Sequence, residues 1–393
     1  MWKDFIVDRE PHRFLGFNPK NPMMLTGNKG EWSELYALFK IISDRKLFAG
    51  DGQLNRIDEL AFPVLKVIRT ESNGIFEFSV QDDFVEIAHK GVESSSLFNL
   101  AKEEPLRIPT ERFGEMARIL LKEMKKASGA FAVDEVIDFI NSYKCHSLKA
   151  NSTVKSDIDI VLHDLRTGTT PQLGFSIKSQ LGGASTLLNA GRTTNFIYKI
   201  TGASLSELQI NEINAIATKS KIKDRIERIR GFSGNLEYTR TESAVFGNNL
   251  TLIDSALPAI LAEMVKLFFS ATISKTKELV SKVSAANPIG YNFDTKHPFY
   301  LYKVKRLLTD IALGMMPAKV WTGELEATGG YLIVKEGGEI VCYHIYNRNE
   351  FEDYLLNNTK FETASSSRHD FGKVYKVGDQ CFFKLNLQIR FLK

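Results

Sequence analysis

Residues 155–180, KSDIDIVLHDLRTGTTPQLGFSIKSQ, constrain this chain more than any other stretch. Ile158 and Ile160 alternate with Asp157 and Asp159, and Phe175 and Ile177 alternate with Ser176 and Lys178. A period of two is the pattern of a strand with one face buried. The segment therefore reads as two short strands joined by a turn. Side chains two apart on a strand share a face, and neighbouring strands lie about 4.8 Å apart. Such a hairpin holds acids from its first strand within a few ångströms of a lysine on its second.

Those residue types suit the hydrolysis of a phosphodiester. The reaction needs a nucleophilic water, neutralisation of charge on the phosphorus oxygens and stabilisation of the leaving oxygen. Mg2+ held by one or two carboxylates supplies all three, because it keeps several waters and lowers their pKa. Asp157 and Asp159 are the candidate metal ligands. Lys178 is placed to orient or deprotonate water, or to neutralise developing charge, and Gln180 to hold a water or a phosphate oxygen. The arrangement is similar to that of metal-dependent nucleases of the PD-(D/E)XK type. Two positions depart from that pattern: Ser156 stands in place of proline, and Ser176 where that superfamily usually carries Asp or Glu. A second carboxylate is then expected from Asp159, or from Glu135 or Asp138 on the polar face of the preceding helix. Other readings stay open. Asp157 and Asp159 also fit solvent-facing strand residues with Lys178 a surface lysine. Ser176 and Lys178 also read as a nucleophile–base pair, although two residues on one strand are poorly placed for attack and no acyl-binding features accompany them.

Composition excludes several classes. With 43% hydrophobic and 25% charged residues, the 393-residue chain has the make-up of a folded protein with a sizeable core. A net charge of +4 is compatible with a polyanionic partner without demanding one. Cys145, Cys342 and Cys381 are odd in number, far apart and outside any CxxC spacing, so neither a disulfide framework nor a structural zinc site is expected. The seven histidines show no metal-ligand spacing. Residues 1–14 mix charges into their apolar positions and do not read as a leader, and the run 257–269 is broken by Pro258, Glu263 and Lys266. The expectation is a soluble, cytoplasmic chain with no membrane partner.

Periodicity predicts helices over residues 31–42, 111–127, 133–143, 185–200, 211–230 and 254–280. It predicts strands over 62–69, 74–80, 330–335, 339–346 and 373–387, with Gly337-Gly338 turning between the third and fourth. Pro105 and Pro109 mark a boundary. The expected organisation is an α+β N-terminal region (1–108) that could contact DNA, a core carrying the hairpin (109–290) and a strand-rich C-terminal region (291–393) contributing to DNA recognition.

Residues 175–198, FSIKSQLGGASTLLNAGRTTNFIY, resemble the HpaII-type restriction endonucleases, in which an S-x-K-S strand precedes a G-x-x-STLLNA-x-x-x-TNF segment. Residues 329–375 and the ending LNLQIRF are similar to the same family. The resemblance implies an α/β fold with a restriction-endonuclease-like core, a mixed central sheet flanked by helices. It also implies Mg2+-dependent cutting of double-stranded DNA at a short palindrome, CCGG, and a cognate DNA methyltransferase. The catalytic strand pair it points to is Asp157, Ser176, Lys178 and Gln180. Symmetry of the target suggests a homodimer, although a monomer nicking twice serves equally. A DNA-binding protein without catalysis and a repair nuclease are the rival readings.

Two polar segments are candidates for reading DNA. Ser185, Thr186, Asn189, Arg192, Thr193, Thr194 and Asn195 are small donors and acceptors beside the catalytic strand, with Arg192 suited to bidentate contact with guanine. The second segment, SSSRHDFG at 365–372, offers Ser367 for phosphate and Arg368 and His369 for guanine edges. Residues 219–230, KSKIKDRIERIR, read as a solvated helix face or as a backbone track.

Overall fold

The computed structural model describes residues 25–91, 105–149, 156–165 and 167–393. Residues 1–14, read for a leader, and Lys155 lie outside them. The chain opens with α1 (Lys29–Asp44), β1 (Lys46–Gly50), β2 (Arg56–Glu71), β3 (Gly74–Val80), β4 (Phe84–Gly91) and β5 (Leu106–Pro109). Next come α2 (Thr110–Lys126), α3 (Asp134–Asn141), β6 (Ile158–Leu162), β7 (Gln172–Ser179), β8 (Thr186–Leu188) and β9 (Asn195–Thr201). A helical stretch follows: α4 (Glu207–Ala215), α5 (Lys221–Gly231), then β10 (Asn235–Thr241), α6 (Ala244–Ile253), α7 (Leu257–Ser270), α8 (Thr276–Ala286) and α9 (Phe299–Leu313). The chain ends with β11 (Gly330–Val334), β12 (Ile340–His344), α10 (Arg348–Asn357), β13 (Thr359–Phe361), β14 (Val374–Val377), β15 (Gln380–Asn386) and β16 (Ile389–Phe391).

This is a mixed α/β fold. Its nine-stranded sheet runs β1-β12-β11-β7-β6-β2-β3-β4-β5. All three expected regions contribute strands to it. The β6–β7 pair is antiparallel, as a hairpin must be, and β11 lies parallel to β7 on its other side. The sixteen-residue β2 serves two purposes: its first half pairs with β1 and its second with β6 and β3. The strand path from β1 through β12, β11, β7 and β6 to β2 therefore returns on itself. A four-stranded sheet β10-β9-β15-β14 and a three-stranded sheet β13-β16-β8 complete the β structure.

Two cores sit on opposite faces of the large sheet. Leu173, Phe175 and Ile177 of β7, with Leu332 and Val334 of β11, pack under α1, α2 and α3. Tyr331 and Ile333, the alternate residues of β11, join a second core built on α6 to α10 and the smaller sheets. Helix α1 is fixed at its start by a capping box, the Asn28 side chain accepting from Glu31 N–H and Glu31 accepting from Asn28 N–H. It is sealed over the sheet by Trp32, Leu35, Tyr36 and Phe39, all buried. The Tyr36 hydroxyl donates to the carbonyl of Gly338 in the β11–β12 turn. Gly338 has φ +92, and a Cβ there would strike Leu121, so glycine is required on both counts.

Several expected elements differ. Residues 185–200 are not a helix but β8, one 3-10 turn (Arg192–Thr194) and β9. Gly191 and the β-branched Thr193, Thr194, Ile197 and Ile200 disfavour helix, and β9 gains two strand partners, β10 and β15. The predicted helix at 254–280 is two, α7 and α8, with Pro258 in the first turn of α7 and residues 271–275 separating them. Residues 211–230 likewise divide into α4 and α5. Helices α9 and α10 add to the C-terminal strands. Among the described residues no helix is long and apolar enough to cross a membrane.

Phe113 of α2 is fully buried against Phe39, Phe78 and Phe139. Phe113→Ala is expected to cost about 3–5 kcal/mol through lost contact and a residual cavity. The exposed Leu65→Ala should stay within about 0.5 kcal/mol of the parent. Chemical denaturation of the two variants measures the difference.

Candidate functional site

The β6–β7 hairpin places three side chains in one hydrogen-bonded row. Just ahead of β6, Asp157 N–H donates to the carbonyl of Phe175 at 2.8 Å. That bond fixes its carboxylate over the next residues of β7. Oδ2 accepts from Ile177 N–H at 2.6 Å and from the Ser176 hydroxyl at 3.3 Å. Lys178 Nζ donates to the same hydroxyl at 2.8 Å. Ser176, buried, thus joins a carboxylate to an ammonium. Among the described residues no hydrogen bond is made to Asp157 Oδ1.

Strand alternation explains the polarity of the row. Ser176 and Lys178 face away from the core that takes Phe175 and Ile177, and β11 sets Tyr331 opposite Ser176 and Ile333 opposite Lys178. Lys178 Nζ lies 5.1 Å from the centre of the Tyr331 ring, a cation–π contact. Burial pushes the Lys178 ammonium below the usual lysine range, and the charges of Asp157 and Glu34 act against that shift. The Tyr331 phenol is raised by burial and by Asp157. A cavity of about 20 Å³, room for about one water, lies beside Lys178, Gln180 and the Gly182-Gly183 pair.

The other candidate acids lie elsewhere along the fold. Asp159 projects two residues further from Asp157, where Oδ2 accepts from Gln172 at 3.4 Å. Glu135 and Asp138 are exposed on α3. Among the described residues neither acid makes a hydrogen bond or ion pair with Asp157 or Lys178. Gln180 follows β7, its N–H donating to Val334 O at 2.9 Å. Glu34 is the group sequence reasoning passed over. It rides on α1, whose Ser33 hydroxyl donates to Ser179 Oγ at 2.7 Å, so the helix abuts β7. Its one legible signal was an acid inside the otherwise apolar run WSELYALF.

Among the described residues no cluster of three or more His, Cys, Asp and Glu side chains forms. Mg2+ does not require one, since one or two carboxylates with waters and substrate phosphates complete its octahedron. A single carboxylate such as that of Asp157 fits that mode.

The two polar segments converge. Asn195, fully buried, donates to the His369 carbonyl at 2.9 Å and to Glu242 at 2.7 Å. Asn386 on β15 donates to Asn195 Oδ1, Thr194 Oγ1 and Gly191 O. Lys384 pairs with both Glu242 and Asp370. The bond from Lys384 pulls the Asp370 carboxyl below its ordinary range against burial, and the Lys384, Arg192 and Lys373 charges add to the effect. Thr194 and Asn195 are spent inside this network. Asn189, Arg192, Ser367 and Arg368 are exposed, Ser185, Thr186, Thr193 and His369 partly so. Arg225, buried, clamps the end of the 365–372 loop by donating to Gly372 O.

The family model described as HpaII restriction endonuclease matches residues 28–391. The type II restriction enzyme HpaII of Haemophilus parainfluenzae is 49% identical over 369 residues, covering 93% of this chain and 99% of that protein. No solved structure matches.

Asn386→Ala would strip donors from the buried Asn195 and Thr194 and is expected to cost about 1–3 kcal/mol. Asn189→Ala, on an exposed side chain, should be near neutral. Thermal unfolding of both variants reads the contrast.

Proposed function

This chain belongs to the HpaII restriction endonuclease family, and we propose that the Asp157–Ser176–Lys178 row performs its chemistry, Mg2+-dependent hydrolysis of both strands of duplex DNA at CCGG. Type II restriction endonuclease activity makes it a site-specific deoxyribonuclease. The observation that carries the site assignment is the Ser176 hydroxyl holding Asp157 and Lys178 on one face of the hairpin.

Asp157 would hold the metal through Oδ1, with Glu34 as the second acid in place of the carboxylate that residue 176 lacks. Asp159 stays a competing choice and Glu135 a more distant one. The metal supplies an acidic bound water and charge neutralisation at the phosphate. Lys178 faces the same space. Its burial favours surrender of a proton, so it is suited to orient the attacking water and to meet charge on the phosphoryl oxygens. Ser176 positions both partners, and Gln180 borders the small cavity where a water would sit. The core would be of the restriction-endonuclease type, a mixed sheet with α1 and α2 on one face. Arg192, Arg368 and His369, with Asn189, Ser185, Thr186, Thr193 and Ser367, are the residues we assign to DNA contact. Thr194 and Asn195 would shape that surface from beneath. A homodimer would match the two-fold symmetry of the target, and a cognate methyltransferase would protect host DNA.

Asp157→Ala and Lys178→Ala are each expected to lower cleavage of a CCGG plasmid by at least about 10²–10⁴-fold, while binding to the same site in Ca2+ persists. Glu34→Gln should raise the Mg2+ concentration needed for half-maximal cleavage more than Asp159→Asn or Glu135→Gln does. Discrete Mg2+-dependent bands from the parent protein support the reading. A mobility shift without cutting would mark a DNA-binding protein, and cutting without a fixed sequence would mark a repair-type nuclease.

A further inference from the structure

We propose that a groove between the start of α5, the α7–α8 connection and the loop after β13 carries the phosphate backbone of duplex DNA flanking the cut site. The proposal rests on the nuclease reading above and extends its footprint.

The groove encloses about 620 Å³. Lys219, Lys221 and Lys223 stand on one wall, and its lining contains no Asp or Glu. Among the described residues Lys219 and Lys221 form no ion pair. Lys223 reaches only Glu227, at 3.9 Å. Asp224, on the same helix, is taken by the hydroxyls of Thr218 and Ser220. The opposite walls bring Thr272 and Thr363, whose hydroxyls make no hydrogen bond among the described residues, and the serines at 365–367. The floor is apolar, with Phe268, Phe269 and Ile273. Uncompensated lysines, unspent hydroxyl donors and an apolar floor match a sugar–phosphate chain: charge for the phosphates, donors for their oxygens, apolar surface for the deoxyribose.

Position ties the groove to the catalytic row. Arg390 on β16 donates to Ala184 O, just beyond the catalytic strand, and to Glu362, just before the groove. In the three-stranded sheet, β8 and β13 are separated only by β16, so about 10 Å lies between the segment after Lys178 and the groove's edge. The far rim is the Ser367–Arg368 turn already assigned to DNA. A duplex lying across the catalytic row can continue along this wall within a few base pairs, given one charge per about 3.4 Å of strand. The lysines then contribute binding that carries no sequence information.

The test uses the full chain in Ca2+ and two duplexes with one central CCGG, about 12 and about 30 base pairs long. Affinity is measured by fluorescence anisotropy between about 50 and 200 mM salt. The Lys219→Gln/Lys221→Gln/Lys223→Gln variant should flatten the log K against log salt slope on the long duplex by about 2 to 3, since each phosphate contact contributes about 0.9. On the short duplex its slope and its Mg2+-dependent cleavage should match the parent. The Lys→Arg triple variant should keep the parent slope, because charge alone is required. Equal slopes for parent and Gln variant on the long duplex, or equal flattening on both duplexes, would overturn the groove assignment and leave the nuclease reading standing. A parent protein that neither binds nor cuts either duplex would overturn both.

Discussion

Strand β7 is the constraint on which the rest of the architecture turns. One face of it must feed Leu173, Phe175 and Ile177 into the core under α1, and the other must carry an amine under the Tyr331 ring. A charged lysine so placed costs free energy unless something compensates the lost hydration. Ser176 and Asp157 provide that compensation, and the β6–β7 register sets where they stand. The antiparallel pairing on one side and the parallel β11 on the other hold the row rigid. A functional group on a central strand is fixed more tightly than one on a loop.

The same logic extends outward. Helix α1, anchored by its capping box and by Tyr36 to the β11–β12 turn, has little freedom to move relative to β7, so Glu34 keeps its place near Lys178. The partly buried Asn195–Asn386–Glu242–Lys384 network fixes β9 and β15 to the 365–372 loop. Hydrogen bonds in a low-dielectric setting are strong and stiffen the segments they join. Exposed Arg192 and Arg368 are thereby presented from a stiff base. The lysine groove borders the same loop, which would bring the surface proposed to read sequence beside the one proposed to be blind to it.

What could be read from the sequence followed from locality. Asp157, Ser176 and Lys178 lie on adjoining strands of one hairpin, and alternation alone gave their shared face. Helices α1, α2 and α3 announced themselves through apolar spacing. Glu34 did not, because Lys178, whose charge it feels, lies on a strand far along the chain, and an acid inside a largely apolar helical run says nothing of that strand. Residues 185–200 misled because a run of apolar and hydroxyl side chains fits either period, and the deciding factor was the pair of neighbours awaiting β9. Asn195 reads as a DNA contact from composition; its burial depends on Asn386, 191 residues away. The long predicted helices broke at residues 271–275 and 216–220, where β-branched and hydroxyl side chains interrupt the apolar pattern.

The claim at the centre is spatial: the hairpin seats a divalent cation and a scissile phosphate between Asp157 and Lys178. A crystal structure of the full chain with a CCGG duplex and Ca2+ addresses it directly. The account predicts an ion bound to Asp157 Oδ1 and a phosphate oxygen, with Lys178 Nζ turned to that phosphate. An ion held elsewhere, at Asp159 and Gln172 for example, with Lys178 still packed against the Tyr331 ring and no phosphate in reach, would contradict it.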